Sequence, residues 1–300
     1  MHFFLVPRLR FEKEELYCFT ESLLLCVNED IEVMKYAILS DIHGNLEALT
    51  VVLEKCQEEG VEEYVSLGDI VGYNANPKEC LDWMRSLNLV CAVKGNHDEY
   101  AAGGDSKIEG FNPHARAAVI WTKSQLSPED QAWLAALPMR QTLKGTLITA
   151  VHATLDSPDS WGYIFDEHHA ADNFAYQFTP LCFIGHSHVP VGFCKKPIAS
   201  FSDRLISSLE NWEAANTPES QFKRADLVTV SLDPGHKYLL NVGSVGQPRN
   251  RDPRASFAIY DSDMKTVTRY RLPYDIESAQ AKILNAGLPE RLASRLALGI

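Results

Sequence analysis

Eight polar side chains in short blocks along the chain are of the types that hold divalent metal ions: Asp41, His43, Asp69, Asn96, His97, His152, His186 and His188. The first two lie in KYAILSDIHGN, where an apolar run reads as a strand and a polar cluster follows at once. Open α/β sheets bind ligands at the carboxyl edge of their strands, so a strand ending in Asp-x-His can aim a carboxylate and an imidazole at one ion. Later apolar runs end in Gly68-Asp69, in Gly95-Asn96-His97-Asp98, in His152 and in Gly185-His186-Ser187-His188. Asp41 to Asp69 is 28 residues and Asp69 to Asn96 is 27. Each gap is one strand plus one helix, which sets the blocks side by side at one sheet edge. Carboxylate, imidazole and amide oxygen suit Mn²⁺, Fe or Zn²⁺, and no block contains a thiolate.

The elements that must position these blocks are legible from periodicity. Leu46, Leu49, Val52, Leu53 and Cys56 recur at helical spacing, and Gly60 stops that helix. Strands are expected over 63–67 and 89–93, with a helix between them opened by Asn76-Pro77 and carrying Cys80, Leu81, Met84 and Leu87 on one face. Asn112-Pro113 and Ser127-Pro128 open two further helices, and 166–178 reads as another. Strands follow at 143, 147–151 and 181–184, the first two around a Lys144-Gly145 turn, and 189–194 continues extended. Strand, polar loop, helix in repetition means a mostly parallel sheet with right-handed crossovers. Strand-like segments recur at 227–230, 237–242, 256–260 and 266–271, mostly joined by turns, which predicts antiparallel pairing in a second sheet. Two helices close the chain after residue 275. The polar stretch 197–226 reads as a surface excursion, and Trp83, Trp121 and Trp133 as core residues of apolar helix faces.

A net charge of −12 argues against general binding to nucleic acid or to an anionic membrane, so positive charge at a phosphate site has to be local. Seven scattered cysteines without a CxxC pair fit reduced thiols in a cytoplasm. No apolar run approaches the roughly 18 residues of a membrane span. The opening MHFFLVPR lacks the order of a signal peptide. Residues 1–34 read either as an extension ahead of a start at Met34 or as a helix docked on the domain.

The series DIHGN, GD, GNHD, a lone His and GHSH, in that order, resembles the calcineurin-like metallophosphoesterases over residues 35–275. GDIVGY, NVGSVGQPR and DPRAS resemble segments of its small bacterial phosphodiesterase and phosphatase branch. The resemblance implies a four-layer α/β/β/α sandwich of two mixed sheets over 35–274, with the helices of 275–300 packed on it. It implies hydrolysis of a phosphomonoester or phosphodiester by attack of hydroxide held between two divalent ions, Mn most of all, with Fe, Zn or Ni as alternatives. One ion would take Asp41, His43 and His188, the other Asn96, His152 and His186, and Asp69 would bridge them. His97 would be the catalytic residue that stabilises or protonates the leaving oxygen, with Asp98 orienting the loop.

Serine/threonine protein phosphatases of this superfamily carry GDxVDRG, whereas this chain reads GDIVGYN. Gly72 and Tyr73 therefore stand where those enzymes have an aspartate and a phosphate-binding arginine, which weighs against a protein phosphatase. Arg249, Arg251 or Arg254 would supply the missing cation if their loop folds over the site, with Arg249 and Arg254 the substrate-binding candidates. Other readings are a dinucleoside polyphosphate hydrolase, a mononuclear hydrolase of another bond and a non-catalytic metal-binding scaffold. The expected partner is a small phosphorylated substrate. His114, His168, His169 and His236 read as structural or exposed, Asn76 as a helix cap, and 243–246 as a tight turn.

Overall fold

In a computed structural model, the described residues are 34–103, 113–143, 146–197, 205–209, 212 and 226–300. The N-terminal extension and the Lys144-Gly145 turn lie outside them. Twelve strands form two six-stranded mixed sheets among these residues. The first contains β1 (Lys35–Leu39), β2 (Glu63–Ser66), β3 (Leu89–Ala92), β9 (Leu227–Ser231), β11 (Ala255–Asp261) and β12 (Thr266–Leu272), in the order β3-β2-β1-β11-β12-β9. The second contains β4 (Arg140–Thr142), β5 (Ile148–Val151), β6 (Leu181–Ile184), β7 (Gly192–Lys195), β8 (Ile206–Ser208) and β10 (Lys237–Asn241), ordered β4-β5-β6-β10-β7-β8.

Successive side chains of a strand face opposite ways, and here both faces are covered. Tyr36 and Ile38 of β1 join Val65, Ile148, Phe183 and Leu240 in a core between the sheets. Ala37 and Leu39 turn the other way, onto Leu49, Val52 and Cys56 of α1 (Leu46–Glu58) and Cys80, Leu81 and Met84 of α2 (Pro77–Ser86). The second sheet sends Val151, Cys182, Ile184 and Leu239 outward onto Ala170 and Phe174 of its helix, Glu167–Tyr176. Helix, sheet, sheet, helix is the four-layer sandwich that was expected.

Between α2 and that helix the chain adds α3 (Asn96–Ala102), α4 (Pro113–Gln125) and α5 (Pro128–Ala136), so Glu167–Tyr176 is α6. α7 (Ile276–Asn285) and α8 (Glu290–Leu298) follow the last strand and bury Ile283, Leu288, Leu292 and Leu296 with Ala118 of α4. Asn45 caps α1 by accepting from the Ala48 amide at 3.1 Å, and its own amide ties the helix start to the Gly246 carbonyl. Asn76 occupies the cap position of α2 but makes no capping bond to the backbone. No helix among the described residues is long and apolar enough to cross a membrane. Cys56, Cys80, Cys91, Cys182 and Cys194 are buried free thiols.

Three expectations need correction. The late strands do not make a sheet of their own: β11, β12 and β9 extend the first sheet through antiparallel pairing of β11 with β1, while β10 enters the second, parallel to β6. Turns between strand-like segments suggest pairing of chain neighbours, and a strand's own sequence is silent on which strand it pairs with. Trp83 is 51% exposed, because it sits roughly 100° around α2 from the stripe formed by Cys80, Leu81 and Met84. The polar stretch is also more than a surface excursion. It supplies edge strand β8 and the fully buried Trp212, whose indole N–H donates to the Asn241 carbonyl at 2.7 Å. Trp212→Phe keeps most of the packing and orphans that carbonyl; the expected loss of stability is about 1–3 kcal/mol, read from the denaturant midpoint.

Candidate active site

The loops that leave β1, β2, β3, β5 and β6 all open at one edge of the sandwich, and they are laced to one another by their backbones. Asp41 N–H donates to Gly68 O (3.1 Å), His43 N–H to Asp69 O (2.9 Å) and Gly185 N–H to His152 O (2.9 Å). The turn at 243–246 spends its N–H groups in the same way, Val245 on Ser40 O and Gly246 on Asp41 O, so it is scaffold. Asp41, His43, Asp69, His186 and His188 all have φ between 52° and 66°, the left-handed region that such residues seldom occupy. That strain, of order 1 kcal/mol or more at each, is tolerated because the surrounding bonds hold the loops in place.

Each carboxylate has one oxygen secured and one left over. Asp41 Oδ2 accepts from Ser40 Oγ at 2.6 Å and from the His186 amide at 3.2 Å; Asp69 Oδ1 accepts from the His97 amide at 2.8 Å. Asp41 Oδ1 and Asp69 Oδ2 are buried without a hydrogen-bond partner. Imidazoles surround them: His188 Nε2 is 3.3 Å from Asp41 Oδ1, while His152 and His43 Nε2 are 3.3 and 3.6 Å from Asp69 Oδ2. Asn96 Oδ1 lies 3.3 Å from His152 Nε2.

The far nitrogen of every ring is committed to a carbonyl. His43 Nδ1 donates to Val71 O (3.1 Å), His152 Nδ1 to Leu67 O (2.7 Å), His188 Nδ1 to Gln247 O (2.6 Å) and His186 Nε2 to Trp161 O (2.9 Å). A carbonyl can only accept, so the inward nitrogens of neutral rings carry lone pairs, the arrangement that metal-binding histidines use. His43 and His188 face each other at 3.2 Å through two such lone pairs, which repel unless a cation stands beside them. Burial holds both rings well below the usual imidazole range and drives His186 to about 3. Burial also opposes a charge on His152, yet Asp69, with Asp41 and the Leu67 carbonyl, lifts it to about 9. The donors thus fit two cations: Asp41, His43, Asp69 and His188 form one cluster, and Asp69, His152 and His186 a second.

His97 packs over this edge, its ring 4.8 Å from His43 and 4.3 Å from Tyr73. Its Nδ1 is buried without a partner and lies where a side chain on Gly72 would begin. A Cβ at residue 72 would sit 2.6 Å from that nitrogen, and Gly72 has φ +99°. Gly72→Ala should therefore tilt His97, seen as a shift of its imidazole NMR resonances, with the metal content unchanged. The Asp98 carboxylate accepts from the amides of Asp69, Ile70, Val71 and Gly95.

Arg249 reaches the site. Its amide donates to His188 O, and its guanidinium donates to Gln247 Oε1 at 3.1 Å and lies 5.7 Å from the centre of the Tyr73 ring. Arg254 does not. Its fork is taken by Asp252 (2.8 Å) and Asp226 (2.6 Å), so its charge is spent on holding the loop. Arg251 is exposed, its amide bonded to Gly299 O. His168 and His169 are exposed on α6. Tyr163 was not anticipated: its ring stacks on His186 at 4.4 Å and on Phe165 at 5.5 Å, in an irregular segment whose sequence carries no period.

The fold and this edge define an α/β/β/α protein with two adjoining Asp/His clusters that could each hold a metal ion. Residues 34–265 match the calcineurin-like phosphoesterase superfamily domain. The chain belongs to that family and is a metallophosphoesterase, a hydrolase of phosphoric esters. It is 37% identical to an uncharacterized protein of Methanocaldococcus jannaschii over 88% of its own length and 97% of that protein's. The crystal structure of a metallophosphoesterase from Sphaerobacter thermophilus superposes with a TM-score of 0.72 at 38% identity, covering 90% of this chain and all of that one. A symmetrical bis(5'-nucleosyl)-tetraphosphatase of Coxiella burnetii is 30% identical over 127 residues, 41% of this chain and 42% of its own.

Proposed function

We propose that the chain hydrolyses small phosphate esters at a dinuclear metal centre. Asp41, His43 and His188 would hold one ion, Asn96, His152 and His186 the other, and Asp69 would be shared. The observation that supports this most strongly is the pair of buried, unpartnered oxygens, Asp41 Oδ1 and Asp69 Oδ2, ringed by inward imidazole nitrogens. Two divalent ions, Mn²⁺, Fe or Zn²⁺ by donor type, would acidify water near neutral pH and neutralise charge on the phosphoryl oxygens.

The remaining steps fall to the protein. Burial, opposed in part by Asp69, pushes His97 down to about 4, and added cations would push it further. His97 then works as a neutral imidazole. With Nδ1 against Gly72, its proton sits on Nε2, which donates to the leaving oxygen. Arg249 supplies the fixed positive charge that Tyr73 cannot. His97→Ala is expected to lower kcat by about 10²-fold, the loss typical of one oriented donor, with little change in metal content. The buried free thiols fit a reducing compartment such as the cytoplasm.

The reading is tested by assaying metal-stripped protein on p-nitrophenyl phosphate and bis-p-nitrophenyl phosphate before and after adding Mn²⁺, Fe²⁺ or Zn²⁺. Turnover restored by metal supports it, and the ratio of the two substrates assigns monoester or diester. Turnover unaffected by stripping would rule it out.

A further inference from the structure

The Tyr73 ring is shared between the metal edge and a second feature. On one side it touches His43 and His97, at 4.7 and 4.3 Å. It also lines a cavity of about 490 Å³ with Arg249, Arg291, Arg295 and His114. Arg291 and Arg295 stand four residues apart on α8, on one face, and Arg249 arrives from the loop after β10. The guanidiniums of Arg249 and Arg295 both lie over the Tyr73 ring, at 5.7 and 5.9 Å.

Like charges one helical turn apart repel, and a third guanidinium beside them adds to the cost. Among the described residues no aspartate or glutamate forms an ion pair with any of the three. Arg295 Nε donates to an oxygen of the main-chain terminus of Ile300, which offsets part of this charge, and Arg249 Nε is buried with no partner. Burial and the neighbouring Arg249 push Arg295 down to about 10, the direction that crowded cations produce. In a chain of net charge −12, three arginines gathered in a concavity with no aspartate or glutamate among its described lining residues, and with only the main-chain terminus of Ile300 to offset them, point to an anionic ligand. Planar guanidinium forks suit the oxygens of phosphate.

We propose that this cavity binds a second phosphate of the substrate, so that the preferred substrates carry a phosphoanhydride chain whose reacting phosphate lies at the metal edge and whose next phosphates extend past Tyr73. The proposal rests on the phosphoesterase reading given above and deepens it.

The test compares wild-type full chain with Arg291→Gln, Arg295→Lys and the Arg291→Gln/Arg295→Gln double variant. Arg291 is exposed, so its substitution leaves the α8 core contacts in place. Calorimetric titration with tripolyphosphate, without added metal, should show Kd raised at least tenfold in the double variant and less in Arg295→Lys. With Mn²⁺ present, the ratio of kcat/KM for tripolyphosphate to that for p-nitrophenyl phosphate should fall at least tenfold. An unchanged Kd and an unchanged ratio would overturn the proposal. Inorganic phosphate binding as tightly as tripolyphosphate, with the ratio unchanged, would make the cavity a site for a free anion and would also overturn it. A raised Kd with no turnover of any substrate would support the phosphate site and sink the hydrolase reading instead.

Discussion

Asp69→Asn is expected to lower kcat/KM on p-nitrophenyl phosphate by at least about 10³-fold, beyond the 10²–10³ typical of losing one oriented donor. Asp69 is the one residue common to both donor clusters. The asparagine has the same shape, and its oxygen can still accept from the His97 amide, so the fold and the α3 start should survive. What disappears is the negative charge at the centre of the cluster. His152 loses the carboxylate that faces it at 3.3 Å, and His43 the one at 3.6 Å. The variant should melt close to wild type and bind one metal ion firmly. If it bound two ions and lost less than tenfold in activity, Asp69 would not be the shared ligand.

The second large effect concerns stability. Asp98 is fully buried and accepts four backbone amides, at 2.8 and 3.1 Å on one oxygen and 3.0 and 3.3 Å on the other. Three of them belong to the loop that presents Asp69. Asp98→Ala leaves all four buried donors unpaired, and at about 1–3 kcal/mol for each such group the combined loss should reach at least about 4 kcal/mol. A typical domain has only about 5–15 kcal/mol to lose. Asp98→Asn should recover little, because its NH₂ would face two of the amides it must satisfy. Where either variant folds, metal affinity should drop by roughly 10- to 100-fold, as when other supports of metal ligands are removed. Denaturant midpoints and metal titrations read both effects. An asparagine variant indistinguishable from wild type would show that Asp98 is not the support of this loop.

How much of this was legible in the sequence depended on where a residue's partners lie. The clustering of Asp41, His43, Asp69, His152, His186 and His188 was legible because each follows a strand within a few residues, and strand ends at one sheet edge converge by topology. Arg254 was misjudged because a basic residue in a loop near the site says nothing of the Asp226 and Asp252 that claim it. Arg291 and Arg295 went unremarked in the last helix, although two arginines at this spacing with no acid a turn away were a readable signal. Tyr73 was noted only for the arginine it replaces. Its position between His97 and the arginine cavity follows from tertiary packing that no local pattern encodes. The left-handed backbone of Asp41, His43, Asp69, His186 and His188 was likewise invisible, since aspartate and histidine carry no mark of φ comparable to glycine's.

The central claim is that this edge holds two ions that share a carboxylate. Its most direct test is the stoichiometry of Mn²⁺ bound to stripped, full-length protein, followed by electron paramagnetic resonance. The proposal predicts two ions per chain with a spin-coupled signal in wild type, and a single uncoupled ion in Asp69→Asn. One ion per wild-type chain, or two that remain magnetically independent, would contradict it.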